Sequence, residues 1–513
     1  MVTSHQTLIS AVEVENLFGR YSYEMNFSNT ESPQSRADRL TLIYGSNGTG
    51  KTTILKLLWH TLSPANSRGH RTSIAKTPFE SFSVHLTNGD VIRIAKLEGL
   101  YGSFVAQVRS AGKQKVEQFY YLDTSGENVV SVPHNLERQG SRQMAIDIDS
   151  PPMEWQDRAA AIRDLEIRRL SRRQRDDDDA FVTYLTGLNA APYLLADDRK
   201  IYGDKIAHKQ DEEWSYHVTL DTGRVSPERV NPDDRGGVTG ELTTAISRAN
   251  DVIQRQMLTG GYRGSSRSNN AYVEILRRAA LTDLAKADES TRDALIERIE
   301  ELANETLEYS RYGLLPELDR DTFVNAIKDV PPTKISVVED VLTPFIDAQK
   351  ARLEALVSTL DLVRTFTGEM NRFFKSSGKQ VTYGRAEGIE VHAARGVPAA
   401  QPLARRPRHR RRETQLSPKQ LSSGERQILL LLLNTILARE NTRVFLIDEP
   451  ELSLNVKWQR QLMDALLACT EGSAVQFIVA THSIEVLTGH RASIARMIPR
   501  NNEAEALPIE EGE

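Results

Sequence analysis

RLTLIYGSNGTGKTTILKLLWHTL, residues 39 to 62, runs from a short apolar stretch through a glycine-rich loop into apolar residues at helical spacing. Strand, loop and helix follow one another around Gly45-Ser46-Asn47-Gly48-Thr49-Gly50-Lys51-Thr52, the context in which GxxxxGK[ST] marks a phosphate-binding loop. Glycines let backbone close on phosphate oxygens, and the helix N-terminus adds partial positive charge. Lys51 is expected to reach the β- and γ-phosphates and Thr52 to hold Mg2+, with Gly45 to Thr53 forming the cradle. A lone strand of this kind needs neighbours, and the rest of its sheet has to come from elsewhere in the chain.

Val444-Phe445-Leu446-Ile447-Asp448-Glu449-Pro450 supplies one neighbour: four apolar residues that end in two adjacent carboxylates. Unpaired buried charge is expensive, so acids at the end of a buried strand require a reason. In a P-loop enzyme Asp448 would join the Mg2+ shell and Glu449 would polarise the attacking water. The next apolar strand, Gln476 to Ala480, ends in Thr481-His482-Ser483. A histidine at the carboxyl end of a sheet strand stands where open α/β sheets bind ligands, which makes His482 the expected γ-phosphate sensor.

Between these motifs the pattern changes several times. LISAVEVENLFGRYSYEMNF, residues 8 to 27, alternates on both sides of LFGR and predicts two strands joined at a glycine. FESFSVHLTNGDVIRIAKL alternates around Asn88-Gly89, a hairpin signal, and FVAQVRS with EQFYYLD predicts further strands. From about Met153 a charged helical pattern begins, followed by the strand candidate PYLLADDRKI. Loop signals crowd residues 203 to 240, and helical stretches cover about 241 to 311 and 340 to 376, with Pro316, Pro331, Pro332 and Pro344 as breaks. Those breaks and the lack of a sustained heptad predict a compact helical insert and not a long coiled coil. Strand-like KQVTYGRAEGIEVHAARG resumes at 379, and loop, long helix, strand, helix, strand, helix complete the chain. The expected fold is α/β: residues 1–150 and 379–513 form a head with a β-rich lobe and a parallel-sheet lobe, and residues 151–378 form a mostly helical insert.

Composition narrows the classes. The 513 residues carry a formal net charge of −5 with 26% charged and 39% hydrophobic residues, so the chain is no polycation and has ample apolar content for cores. Its single cysteine, Cys469, excludes an internal disulfide framework and multi-cysteine zinc sites. MVTSHQTLIS has neither a basic nor an apolar signal region, and the apolar run Ile428 to Ala438 is far short of the ~20 residues a bilayer needs. A cytoplasmic protein without a membrane partner is expected.

Taken together, the P-loop, the strand ending in Asp448-Glu449 and His482 resemble the ATP-binding-cassette (ABC) ATPase superfamily. In that family a loop of LSGGQ type precedes a helix and contacts the γ-phosphate held by the P-loop of the opposite subunit. Leu421-Ser422-Ser423-Gly424-Glu425 matches it, with Ser423 in place of the first signature glycine and Glu425 in place of the glutamine. The resemblance makes Ser422 the phosphate contact, with Ser423 and Gly424 beside it, and implies a homodimer or higher homo-oligomer around ATP and Mg2+. Lys51 and Ser422 are 371 residues apart, far more than in transporter cassettes. Long inserts at this point look like SMC, break-repair and RecF-type ATPases and the ATPase half of OLD proteins.

DEPELSLNVKWQRQL is similar to the DEPExSLHPxWQ run of OLD-like and Septu-type defence ATPases, although Asn455-Val456 departs from its His-Pro. ENLFGRYSYEM and the TPFESFSVHLTNGD hairpin look closest to the PtuA-type ATPases of Septu and retron-Septu anti-phage systems. That resemblance implies a separately encoded effector nuclease of HNH or TOPRIM type as partner, with retron RNA or DNA and a reverse transcriptase as further candidates. It also puts Arg20 or Asn16 near nucleotide and Asp198 at the Q-loop position. With 31 residues after His482, no fused TOPRIM nuclease is expected, and no nuclease constellation stands out.

Two other features stay open at this level. RRPRHRRR, Arg405 to Arg412, has six arginines in eight residues and reads either as a phosphate-backbone contact or as a solvated loop. Arg163, Arg168, Arg169, Arg172, Arg173 and Arg175 precede the acidic run Asp176 to Asp179, which predicts a solvated or protein-contacting face. The competing functional class is a DNA-binding repair ATPase of SMC or RecF type, in which arginines grip a duplex.

Overall fold

The computed structural model describes residues 8–27, 39–65, 69–123, 128–133, 179–196, 201–202, 215–219, 224–228, 240–260, 289–384, 387–393 and 415–499. Asp198, the arginines between 163 and 175, Asp176 to Asp178, and Arg405 to Arg412 lie outside them. The chain divides into two compact units, Met1–His208 with Ala438–Glu513, and Lys209–Leu437.

The first unit begins with β1 (Ile9–Leu17) and β2 (Tyr21–Asn26), an antiparallel pair with Val12 opposite Met25. Their turn places Phe18 and Gly19 at φ 58° and 70°, the left-handed values that fit the twist of a tight hairpin. β3 (Leu40–Tyr44) leads through the glycine loop into α1 (Lys51–Leu62), which buries Ile54, Leu55, Leu57, Leu58 and Leu62 on a helical stripe. After α2 (His70–Lys76) come β4 (Ser81–Leu86) and β5 (Asp90–Lys96), turning at Asn88-Gly89 as the alternation predicts. β6 (Phe104–Ser110), β7 (Lys113–Leu122) and β8 (Val129–Pro133) extend the same meander. Asp179 then caps α3 (Ala180–Leu188) by accepting from the Val182 N–H, and β9 (Tyr193–Leu195) and β10 (Ile201–Tyr202) follow.

In the second unit a hairpin of β11 (Ser215–Thr219) and β12 (Arg224–Glu228) stands in a stretch whose sequence predicts only loop. The turn residues between and around the two strands dominate the composition and hide them. Helices follow: α4 (residues 240–260), α5 (Glu289–Arg311), α6 (Arg320–Lys328) and α7 (Ile335–Phe374). α7 corrects the expected break at Pro344, because its 40 residues run straight past that proline, about 60 Å of helix. Pro331 and Pro332 mark its approach through a 3-10 turn, while Pro344 is buried inside it. α5 and α7 run side by side in the same direction: Arg298 donates to Thr343, Lys350 lies 3.9 Å from Glu301, and the Tyr309 hydroxyl donates to the Leu353 carbonyl.

β13 (Lys379–Gly384) and β14 (Gly388–Ala393) form a hairpin held by the helices of this unit. The Asn371 side chain bonds both backbone groups of Val381, and Asn250 accepts from Ile389 N–H. That clamping places the hairpin with the helices, whereas the sequence pattern assigns residues from 379 onward to the head. α8 (Ser423–Asn441) has Ile428 to Ala438 buried, an apolar run interrupted only by Asn434 and Thr435, which are buried with it.

Back in the first unit, β15 (Val444–Asp448), α9 (Val456–Cys469), β16 (Gln476–Thr481), α10 (Ile484–Leu487), β17 (Ile494–Arg496) and β18 (Ile498–Pro499) complete two sheets. The larger has the order β18-β2-β1-β4-β5-β6-β7-β8 and is antiparallel throughout; the smaller has the order β10-β9-β15-β16-β3-β17. Five of its strands, from β9 to the edge strand β17, are parallel, with the antiparallel β10 at the other edge. One hydrophobic cluster joins both sheets with α1. Gln476, fully buried at the start of β16, accepts from Leu8 and Ile9 N–H and donates to the Ile9 carbonyl, which ties the two sheets together. The architecture is the expected α/β one, an antiparallel lobe and a parallel-sheet lobe in one unit and a largely helical insertion in the other.

Candidate functional site

Parallel pairing decides where the motifs meet. β16 lies between β15 and β3, with Asp448 level with Ala480 and Thr481 level with Tyr44. The P-loop, Asp448-Glu449 and Thr481-His482 therefore leave the sheet together at its carboxyl edge, the ligand-binding edge of open parallel sheets. Some 400 residues of sequence separate β3 from β15, yet only β16 stands between them.

Within the loop, Gly48 and Gly50 take φ 83° and 91°, where a side chain is strained. At Gly50 a Cβ would also come within 2.7 Å of the Leu17 side chain, so this glycine serves close approach as well as conformation. The Gly50 carbonyl receives the first helical hydrogen bond of α1, from Ile54 N–H. Ser46, Asn47 and Gly48 are exposed, and Thr49 donates its hydroxyl to the Ser46 carbonyl. Lys51 is buried and donates to the Gly45 and Ser46 carbonyls at 2.7 and 2.9 Å, with its ammonium drawn into the loop. Burial lowers its pKa, while Glu449, Asp448 and Glu451 pull in the opposite direction. All three acids thus act electrostatically on the P-loop lysine. Thr52 and Thr53, half-buried, occupy the first turn of α1.

β15 is buried from end to end, and its last side chain is the Asp448 carboxylate. Thr52 and Asp448 offer hard oxygen donors, a set that suits Mg2+, which binds through one or two protein oxygens and completes its shell with phosphates and water. Among the described residues no cluster of three or more His, Cys, Asp or Glu could hold a metal on protein ligands alone. Glu449 turns the chain sharply: its φ is 46°, left-handed for a residue with a side chain, and its N–H donates to the Ala480 carbonyl at 2.9 Å. Such a conformation costs ~1–2 kcal/mol and aims the carboxylate off the strand axis.

His482 stands with Nδ1 3.5 Å from Glu449 Oε1 and 3.4 Å from Glu451 Oε1. Its side chain is 42% exposed while that of Glu451 is 4% exposed, so the imidazole sits over a buried acid. Glu451 escapes the sequence reading. The DEPE spelling is its signal, because Glu451 is a third acid, two residues beyond Glu449, with no local partner to explain it.

Ser422 belongs to the other unit, where it caps α8. Glu425 N–H donates to the Ser422 hydroxyl at 3.3 Å, and Ser422 N–H donates to Glu425 Oε2 at 2.7 Å, a reciprocal capping box. Lys379 donates to the same carboxylate oxygen at 2.6 Å. Glu425 is buried, which by itself would raise its pKa, but Lys379 and the hydrogen bonds from Ser422 and Ser377 outweigh that and lower it. Ser422 and Ser423 are exposed and Gly424 is buried in the first turn of α8. Glu425 thus holds the serine in place, with Lys379 as a partner that sequence spacing does not reveal.

Of the lesser candidates, Arg20 lies over the Tyr21 ring and the Asn16 side chain bonds Glu80. Leu17 and Phe18 are the residues of that turn beside Gly50, where an added Cβ would come within 2.7 and 3.4 Å of their side chains. No helix among the described residues is long and apolar enough to cross a membrane.

A family model described as "AAA domain, putative AbiEii toxin, Type IV TA system" matches residues 283–488, less than half of the chain, taking in Ser422, Asp448, Glu449 and His482 but not the P-loop. No curated protein matches the chain significantly. Similar solved structures include the Smc head domain with an extended coiled coil bound to the C-terminal domain of ScpA, from Pyrococcus furiosus, at 13% identity and TM-score 0.35, covering 96% of this chain and 95% of that one. Another is the SmcHead bound to the C-winged helix domain of ScpA, at 10% identity and TM-score 0.34, covering 96% and 98%. The family match takes in the strand ends that carry Asp448, Glu449 and His482, and the sheet pairing brings the P-loop beside them.

Proposed function

We propose that the chain is a Mg2+-dependent ATPase of ABC type that works as a pair of subunits and controls a separately encoded effector nuclease in anti-phage defence. The observation that carries the chemistry is the convergence of Lys51, Asp448, Glu449 and His482 on one sheet edge. Lys51 and the loop amides bind the phosphates, Glu449 orients the attacking water, and His482 contacts the γ-phosphate. Thr52 and Asp448 would hold Mg2+, which when bound neutralises charge on the phosphates. Ser422 of the partner subunit completes each site, so the closed pair depends on γ-phosphate contacts that hydrolysis removes.

The effector reading draws on the DEPELSLNVKWQRQL resemblance and on the matched family's description as a putative toxin of a Type IV TA system, which suits a chain acting beside a second component. Purified Glu449→Gln is expected to retain ATP and elute as a stable dimer with Mg2+ and ATP, and full turnover in that variant would remove Glu449 from its role. Ser422→Arg is expected to bind ATP as a free subunit but to lose turnover; undiminished activity would rule out the composite site. Expression with its neighbouring genes should bring down a nuclease. ATP-stimulated, salt-sensitive DNA binding by the isolated chain, with no nuclease attached, would support a repair ATPase instead.

A further inference from the structure

We infer that Glu451 is the positioning residue of His482. One carboxylate oxygen, Oε1, accepts from the Thr481 hydroxyl at 2.6 Å, from His482 N–H at 3.0 Å and from Ser483 N–H at 3.2 Å. Three consecutive residues at the end of β16 are thereby gathered on one atom, and the His482 ring nitrogen stands 3.4 Å from the same oxygen. The other oxygen, Oε2, is buried and has no hydrogen bond among the described residues. A carboxylate satisfied on one side only is an expensive way to fix a turn, unless its charge and reach serve the group it holds.

The rest of the turn is arranged around this grip. Ser483 N–H is shared with Thr481 Oγ1, the Ser483 hydroxyl donates to Gln459 Oε1, and it accepts from Val486 N–H to cap α10. On the other side, Leu452 N–H donates to the Glu449 carbonyl and Leu454 N–H to the Glu451 carbonyl, so the turn carrying both acids is closed on itself. Pro450 separates the two carboxylates, and both approach the same ring nitrogen of His482, Nδ1, the Glu449 side chain partly exposed and that of Glu451 buried. Glu451 does not need to touch nucleotide. It fixes the backbone from which His482 reaches.

This inference rests on the reading of His482 as the γ-phosphate sensor, and the test separates the two. Full-length chain labelled with 15N-histidine gives the His482 ring resonance, identified by its disappearance in His482→Ala. In Glu451→Ala that resonance should move or broaden, and kcat should fall roughly a hundredfold, the scale of a misplaced reacting group, while KM for Mg-ATP nearly holds. Glu451→Gln keeps a carbonyl oxygen for the three donors and should recover most of the ring signal and of kcat. The double variant Glu451→Ala/His482→Ala should be no slower than His482→Ala, since both changes remove one unit.

An unmoved ring resonance in Glu451→Ala overturns the inference, as does a double variant slower by the product of the two single losses. If Glu451→Ala only lowers the melting temperature, with ring signal and kcat of the folded protein intact, the residue is structural and the inference is equally overturned. If His482→Ala keeps full kcat, the sensor reading fails, yet the ring resonance still decides what Glu451 holds.

Discussion

The strand ends of one unit and the start of α8 in the other hold their candidate residues by different means. The P-loop, Asp448-Glu449 and His482 hang from the ends of neighbouring parallel strands, where pairing along the whole length of β3, β15 and β16 sets their heights. Ser422 hangs from a helix N-terminus, where one capping box and one ion pair set its place. In the strand-borne half, the height of each strand end comes from many buried apolar residues, while the glycine loop itself depends on close approach at Gly50. In the helix-borne half it comes from a few polar contacts, each of which a single substitution removes.

The sharpest break of that comparison targets the strand-borne half where it has no slack. Gly50→Val puts a branched side chain at φ 91° and into Leu17, at a cost of about 2–4 kcal/mol. If that cost falls on the loop, ATP affinity should drop by roughly a hundredfold in an equilibrium binding assay. Near-normal affinity would mean that the loop does not need the close approach.

A smaller effect is expected at the ion pair of the other half. Lys379→Met leaves Glu425 buried without its cation and should cost ~2 kcal/mol in denaturant unfolding, with ATP affinity of the free subunit unaltered. Adding Glu425→Gln keeps the capping box and should restore most of that loss, an interaction that a double-mutant cycle measures directly. The same pair gives a pH signature. Because the folded pKa of Glu425 lies below its ordinary 4.5, its contribution is complete above that value and is lost as pH falls through the lowered folded one. Lys379→Met should therefore shift acid unfolding to higher pH; an unchanged acid midpoint would show that Lys379 does not stabilise the ionised form.

The smallest change tests the cap alone. Ser422→Ala removes one acceptor at 3.3 Å and should lower stability by about 0.5–1 kcal/mol, visible as a modest fall in melting temperature. A loss of several kcal/mol would place Ser422 among the packing residues and blur the contrast between the two halves.

The strand-borne half was largely legible in the sequence because each of its pieces is local. Glycine spacing, an apolar strand before two acids, and a histidine after the next strand each fit within about ten residues. The helix-borne half was legible as LSSGE but not in its support, since Lys379 and Glu425 are 46 residues apart and neither is unusual alone. Short strands escaped for a related reason. β17 and β18 have three and two residues, too few to show alternation, and they exist only because β3 and β2 offer them partners. Pro344 misled because a proline's local rule gives way where the helix around it is buried against neighbours.

The sequence by itself determined that this chain carries a glycine loop of phosphate-binding spacing between a strand and a helix, that two acids and a histidine end apolar strands, and that a long insertion separates the loop from LSSGE. These follow from local chemistry, in which residue type and spacing already limit what backbone and side chains can do. Only the tertiary structure decided that Glu451 is buried beside His482, that Lys379 holds Glu425, and that the β13–β14 hairpin packs with the helices of the insert. Each of those depends on which distant segments are neighbours, and buried polar groups find their partners in space and not along the chain.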